Sequence, residues 1–179
     1  MRSIIRILAA TVVLSLAAAA PAAAQLAVRR SPAEAPVLGT TIRGVSTTVF
    51  RITATGGVTR ASGDAIRLST ASVRTPTITI DCGARQLESL CALRYIRVRI
   101  SPASGSGAAR ITRLRIGSLD GGRVYGGGSP SEGAAMDFVI APVGLFGSVS
   151  FELGMDVTLT GGAPSGEHEF DYVVTVQLQ

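Results

Sequence analysis

The two cysteines are the residues whose type and spacing most directly imply chemistry. Cys82 and Cys91 are the only cysteines in the chain and enclose residues 83–90. In an exported protein this pattern predicts a disulfide. Closing this short loop would lower the conformational entropy of the denatured state and so stabilise the fold by about 2.5–3 kcal/mol. The alternative is a redox or metal-binding pair, which usually has the closer CxxC spacing and a nearby histidine.

The single histidine and the paired carboxylates are the next candidates. His168 lies between Glu167 and Glu169, while Glu152 and Asp156 are four residues apart. A hydrolytic triad needs a base, a carboxylate that orients it and a nucleophile, and no GxSxG motif marks a serine here. We therefore interpret His168 as a strand-edge residue and the carboxylates as solvated or paired with arginine.

Glycine-rich segments could in principle hold phosphate groups or calcium. The run Gly126–Gly128 is followed by Ser129 and Pro130 instead of the Lys-Ser/Thr pair of a phosphate-binding loop. Calcium loops of the DxDxDG type are also missing from the sequence. The sequence thus predicts a non-enzymatic protein with no catalytic residues, no cofactor and no metal site.

The first 24 residues have the organisation of a secretory signal peptide. Arg2 and Arg6 form a basic start, residues 7–20 are apolar, and residues 22–24 are alanines that suit cleavage. The apolar run is shorter than the roughly 20 residues that cross a bilayer as a helix. We expect an exported protein in the periplasm, at the cell surface or outside the cell, with no transmembrane segment in the mature chain.

Charge is distributed unevenly along the chain. Every basic residue precedes Val124, whereas seven of the 12 acidic residues follow it. Either basic strands face acidic strands within one sheet, or the molecule is dipolar and stacks head to tail. Nucleic-acid binding is disfavoured, because the chain has no Trp and no aromatic residues interleaved with the arginines.

The elements that must position these residues are β-strands. Val, Ile and Thr fill short runs that Gly, Ser and Pro separate, and apolar residues alternate most regularly over residues 149–159 and 170–178. This pattern predicts an all-β antiparallel sandwich of eight or nine strands. The predicted organisation is a signal peptide (1–24), an extended N-terminal arm (25–44) and one β-sandwich domain (45–179).

Three segments carry a family resemblance: residues 67–82 (RLSTASVRTPTITIDC), 151–155 (FELGM) and 170–176 (FDYVVTV). Together with the leader they resemble an exported bacterial β-sandwich family, the domain of unknown function 4402. More distantly, they resemble spore coat U and chaperone-usher pilin subunits. The resemblance implies an immunoglobulin-like sandwich with a role in surface or periplasmic structure, and strand donation between subunits as one route of assembly.

Two functions follow as expectations. The first is a non-catalytic structural or adhesive, pilin-like envelope protein whose partners are other envelope or pilus-like subunits. The alternative is a periplasmic or extracellular module that holds a small ligand or a polysaccharide between Gly-rich loops. The sequence leaves the oligomeric state open.

Overall fold

The computed structural model describes residues 26–82, 93–103, 107–144 and 147–179, and these contain strands but no helix. The all-β antiparallel prediction is confirmed, with eleven strands where eight or nine were expected. Two of them, β2 and β5, are only two residues long. The strands are β1 (Ala27–Ser31), β2 (Thr41–Ile42), β3 (Thr48–Ile52), β4 (Val58–Ser62), β5 (Ile66–Arg67), β6 (Thr77–Asp81), β7 (Ile96–Pro102), β8 (Ala109–Asp120), β9 (Met136–Ile140), β10 (Ser148–Leu159) and β11 (Tyr172–Leu178).

The larger sheet is built around β10. Strand β8 pairs along one edge of β10, while the other edge pairs first with β6 and then with β3; β1 and β4 extend the sheet outward. The change of partner occurs at Gly154, where a Cβ atom would lie 2.7 Å from the Ala54 nitrogen and 2.9 Å from the Ile52 oxygen. Only glycine allows the backbones to approach so closely.

The smaller sheet has the order β11-β7-β9. The segment around Val124 continues it beyond β9, because Tyr125 donates its N–H to the carbonyl of Val139 at 2.7 Å. Phe138 from this sheet packs edge to face on Phe151 of the larger sheet, with 5.9 Å between the ring centroids. The hydrophobic core therefore lies between the two sheets, as a sandwich requires.

Strand β10 confirms the longest predicted alternation. Its inward residues are at most 2% exposed: Val149, Phe151, Leu153, Met155, Val157 and Leu159. The opposite face differs from expectation, because Asp156 and Thr158 are also buried, at 6% and 5% exposure. Strands pair on both sides of this half of β10, and long arginine side chains from β3 and β8 lie over it.

The N-terminal arm was predicted over residues 25–44; the structure describes residues 26–44 and shows them paired with and packed against the sandwich. Strand β1 pairs with β6 along its whole length, and Leu26 and Leu38 are buried in the core. The Leu38 N–H also donates to the His168 carbonyl at 3.2 Å. Strand β1 was not apparent from the sequence because four of its five residues are exposed, so it has no alternation of buried and exposed positions, and its partner β6 lies about 50 residues later.

The predicted signal peptide lies outside the described residues. Among the residues that are described, no helix is long and apolar enough to span a membrane.

Candidate functional site: the open edge of strand β11

Cys82 lies just beyond the end of β6 and is 5% exposed. Its N–H donates to the Gly147 carbonyl at 3.0 Å, which fixes the backbone at this position. Cys91 lies outside the described residues, so the Cys82–Cys91 disulfide stays a prediction. Peptide mapping of the unreduced protein tests it, and two thiols that both react with an alkylating reagent would contradict it.

The structure places His168 in a local turn. Its Nε2 atom lies 3.1 Å from the Pro164 carbonyl oxygen, and its own carbonyl accepts a hydrogen bond from Leu38. Glu167, Glu169 and Glu152 are exposed to solvent. Within the described parts of the chain, no group of three or more His, Cys, Asp or Glu side chains is arranged to hold a metal ion.

Asp156 lies at the centre of an ion-pair network on the outer face of the larger sheet. Its Oδ1 atom accepts hydrogen bonds from Arg115 at 2.8 Å and from Arg51 at 3.3 Å. Arg115 also contacts Glu132 at 3.4 Å. The sequence placed Asp156 on a polar strand face but gave no sign of its burial. Because both arginine partners are in place, the carboxylate is satisfied and has a structural role.

A second network lies on the outer face of the smaller sheet. Arg97 forms two hydrogen bonds with the Asp137 carboxylate, at 2.8 and 2.6 Å, and Arg99 adds a third at 3.0 Å. These hydrogen bonds lower the pKa of Asp137 to about 2. Both networks join arginines from the first part of the chain to acids from the last part. Part of the uneven charge therefore forms ion pairs between neighbouring strands.

The outer edge of β11 is the feature with the clearest capacity for binding. Within the described residues, β11 pairs only with β7. Ala103 donates to the Asp171 carbonyl and Gln179 donates to the Tyr95 carbonyl, so odd-numbered residues face β7. In an antiparallel ladder alternate residues hydrogen-bond to opposite sides. The N–H and C=O groups of Val174, Val176 and Leu178 therefore point away from β7.

The side chains along this edge are incompletely covered. Tyr172 is 2% exposed, but Val174, Val176 and Leu178 are only half-buried. They pack against the core on the inner face, as their predicted inward direction requires. An added strand would cover these side chains and pair the outward backbone groups that have no partner among the described residues.

Strand β11 also differs from the other strands that border a sheet. Its sequence, YVVTVQL, has no charged residue and no proline, whereas β1 and β4 each contain arginine. Strand β9 is covered by the pairing of Val124 with Ile140, and β8 carries arginines and pairs with Gly133 at Leu114. Charges, prolines and covering segments are the usual protection of sheet edges against further pairing. Within the described chain, β11 has no charged residue and no proline, and β1 covers it only at Tyr172.

One end of the open edge is closed by β1. The Arg30 guanidinium lies 5.4 Å from the centroid of the Tyr172 ring and donates to the Tyr172 carbonyl at 3.4 Å. Burial raises the pKa of the Tyr172 hydroxyl. Val28, Arg30 and residues 171–174 line a cavity of about 290 Å³ between the two strands. Arg30 thus pairs with β11 at Tyr172, while Val173 and Val174 border the cavity. The outward backbone groups of β11 that have no described partner begin at Val174.

A cleft of about 580 Å³ lies elsewhere on the surface, between Tyr95, Tyr125 and the loop that follows. The two rings meet edge to face with centroids 4.8 Å apart, and both are exposed, at 38% and 62%. Gly126–Gly128 all have positive φ values, from 76° to 86°, so the loop turns in a way that suits only glycine. The sequence identified these glycines as a loop tip but not the tyrosines beside them.

Comparison of the chain with protein-family models, with curated proteins and with solved structures finds no match.

Proposed function

We propose that this is a non-catalytic, exported structural protein of the bacterial envelope, which joins neighbouring subunits by adding a β-strand at the open edge of β11. The observation that carries this proposal is the row of outward backbone groups at Val174, Val176 and Leu178 on a strand without charge or proline. The resemblance of its sequence segments to exported sandwich and pilin-like families supports the same class of function.

The polar residues support a role without catalysis. Asp156 and Asp137 are each held by two arginines, and His168 contacts the carbonyl of its own turn. A general base needs an accessible lone pair and a substrate within hydrogen-bond reach. These side chains are instead used in fixing strands and turns, as a scaffold requires.

Strand addition would use both the outward backbone groups and the half-buried apolar side chains of this edge. Each new backbone hydrogen bond contributes about 1 kcal/mol net, and covering the half-buried side chains adds about 25 cal/mol per Å² of apolar surface. A single strand buries less area than a standard protein interface, which is about 1,600 Å². We therefore expect reversible association that grows with protein concentration.

Sedimentation velocity of the exported, purified protein over a range of concentrations tests this function. We expect oligomers that dissociate on dilution. V176P, which removes one outward N–H, should weaken association at least tenfold, because each lost hydrogen bond is worth about 1 kcal/mol and the ring blocks the edge. V176A is the matched control for the lost side chain. A protein that stays monomeric at all concentrations, or V176P that assembles as well as V176A, would refute the proposal.

The Tyr95–Tyr125 cleft favours a second candidate, a module that binds a small ligand or a polysaccharide. Two exposed tyrosines offer apolar faces with polar tips, and Arg123 beside them offers a positive charge. Thermal denaturation with neutral and acidic polysaccharides tests it, because a ligand that binds the native state raises Tm. A rise that Y125A abolishes would support binding, and unchanged Tm with every polysaccharide would remove this candidate.

A further inference from the structure

We propose that the strand added at β11 belongs to a second copy of the same chain, and that the two β11 strands pair antiparallel about a two-fold axis at Val176. This inference rests on the proposed function and names the partner. The two copies would then form one continuous sheet with the strand order β9-β7-β11-β11-β7-β9. The interface is isologous, so it closes on itself.

The position of the axis follows from the accessible length of the edge. At one end, the Tyr172 carbonyl already accepts a hydrogen bond from Arg30, and Arg30 lies 3.9 Å from the Asp171 carboxylate. At the other end, β11 finishes at Leu178. The outward-facing residues that remain are Val174, Val176 and Leu178. Val176 is their midpoint, so a two-fold axis there allows all three residues to form backbone hydrogen bonds with the second copy.

The residues of β11 are complementary to themselves in this register. Val174 lies opposite Leu178 of the second copy, and Val176 lies opposite its own equivalent. Residues directly opposite in an antiparallel pair share a face of the sheet. The half-buried apolar side chains therefore meet on the core side, while the exposed Thr175 and Gln177 of the two copies meet on the solvent side.

Electrostatics permit this arrangement. The outward residues of β11 that would adjoin the second copy are neutral, and the neighbouring strand β7 carries Arg97 and Arg99 opposite Gln177 and Thr175. Asp137 neutralises one of these two positive charges. The β7 strands of the two copies would be three strand spacings apart, about 14 Å. This distance exceeds the Debye length of about 8 Å at physiological salt, so the residual repulsion is screened.

The N-terminal segment favours a second folded edge over a donated arm. Residues 26–44 are held within their own subunit by the β1–β6 ladder. The Thr41 N–H also donates to the Gly166 carbonyl at 2.9 Å, and Gly166 donates back at 3.0 Å. Donating this segment to a neighbour would break these hydrogen bonds and expose Leu26 and Leu38. Pairing through β11 leaves them intact.

Disulfide cross-linking tests the register. Thr175 should lie opposite Gln177 of the second copy with the Cα atoms about 4.5 Å apart, within the range that a disulfide spans. Each residue would be about 8 Å from its own equivalent, beyond that range. We expect mild oxidation of mixed T175C and Q177C proteins, one carrying a mass tag, to give mainly the mixed dimer. Each variant alone should give at least tenfold less dimer.

The controls separate this inference from the proposed function. T59C, on the exposed face of β4, should not cross-link. Melting curves of the reduced variants check that they are folded. If the wild-type protein assembles but the mixture does not cross-link, or if T175C alone links best, the two-fold register at Val176 is wrong and strand addition stands. If the wild-type protein is monomeric, both proposals fall.

Discussion

Proline substitution at two adjacent residues of β11 should lower stability by very different amounts. Thr175 pairs with Arg99 of β7, and its odd-numbered position directs its N–H toward that strand. Val176, the next residue, directs its N–H to the open edge. T175P therefore removes a hydrogen bond of the native ladder, whereas V176P removes an N–H that has no described partner.

The magnitudes differ enough to be measured. T175P loses about 1 kcal/mol of net hydrogen bonding and leaves the Arg99 carbonyl unpaired, which costs a further 1–3 kcal/mol or so. The expected loss is about 3 kcal/mol, or roughly 6–12 °C in Tm for a domain of this size. Relative to V176A, V176P should change the free energy of unfolding by no more than about 1 kcal/mol, because proline is tolerated where an edge N–H faces solvent.

Urea and thermal unfolding of dilute protein, where assembly is negligible, provide the assay. The comparison pairs are T175P against T175A and V176P against V176A, which cancel the loss of each side chain. The reasoning is refuted if V176P costs as much as T175P. Such a result would mean that another segment of the chain pairs with the outer edge of β11.

Three further predictions concern the sheets themselves. G154A should destabilise the fold by about 1–3 kcal/mol in urea unfolding, because the new methyl group meets the Ala54 backbone at 2.7 Å; a neutral effect would contradict the close approach. D156A should cost about 3 kcal/mol, since it removes the nearly buried carboxylate that Arg115 and Arg51 share and leaves Arg115 with the longer contact to Glu132, whereas E132A at an exposed pair should cost less than about 1 kcal/mol; equal losses would argue against the network. Asp137 has its pKa lowered to about 2, so its stabilising effect is complete above pH about 4 and is lost as the pH falls toward 2. D137N should flatten that part of the pH-stability curve, and an unchanged curve would exclude this group as its source.

Sequence periodicity revealed several of the strands that have an apolar inner face, although not β9. Strand β10 is the clearest case, because every second residue from Val149 to Leu159 is inward and almost completely buried. Strand β11 was also recognised from its alternating apolar residues, although Tyr172 is the one described residue of its inner face that is fully buried. Strands β1 and β4 were not identified, since most of their side chains are exposed and hydrophobicity need not alternate. Alternation reports a buried face, and exposed edge strands lack one.

The candidate site depends on which strands are neighbours in the sheet, and the local sequence does not encode this. The pattern of YVVTVQL predicts a strand and its inward face, but not that one of its edges remains open. The sequence does show that this strand lacks charged residues and proline. That feature indicates an unprotected edge only when β11 is known to border a sheet. The burial of Asp156 was hidden similarly, because Arg51 and Arg115 come from strands distant in sequence.

Residue-resolved amide hydrogen exchange of β11, measured in dilute and in concentrated protein, tests the central claim most directly. The amides of Val173, Thr175 and Gln177 should be protected at both concentrations, because they bond to β7. The amides of Val174, Val176 and Leu178 should exchange rapidly in dilute protein and become protected as concentration rises. Protection of these three amides in dilute protein, or their continued rapid exchange in concentrated protein, would contradict an open edge that binds a second strand.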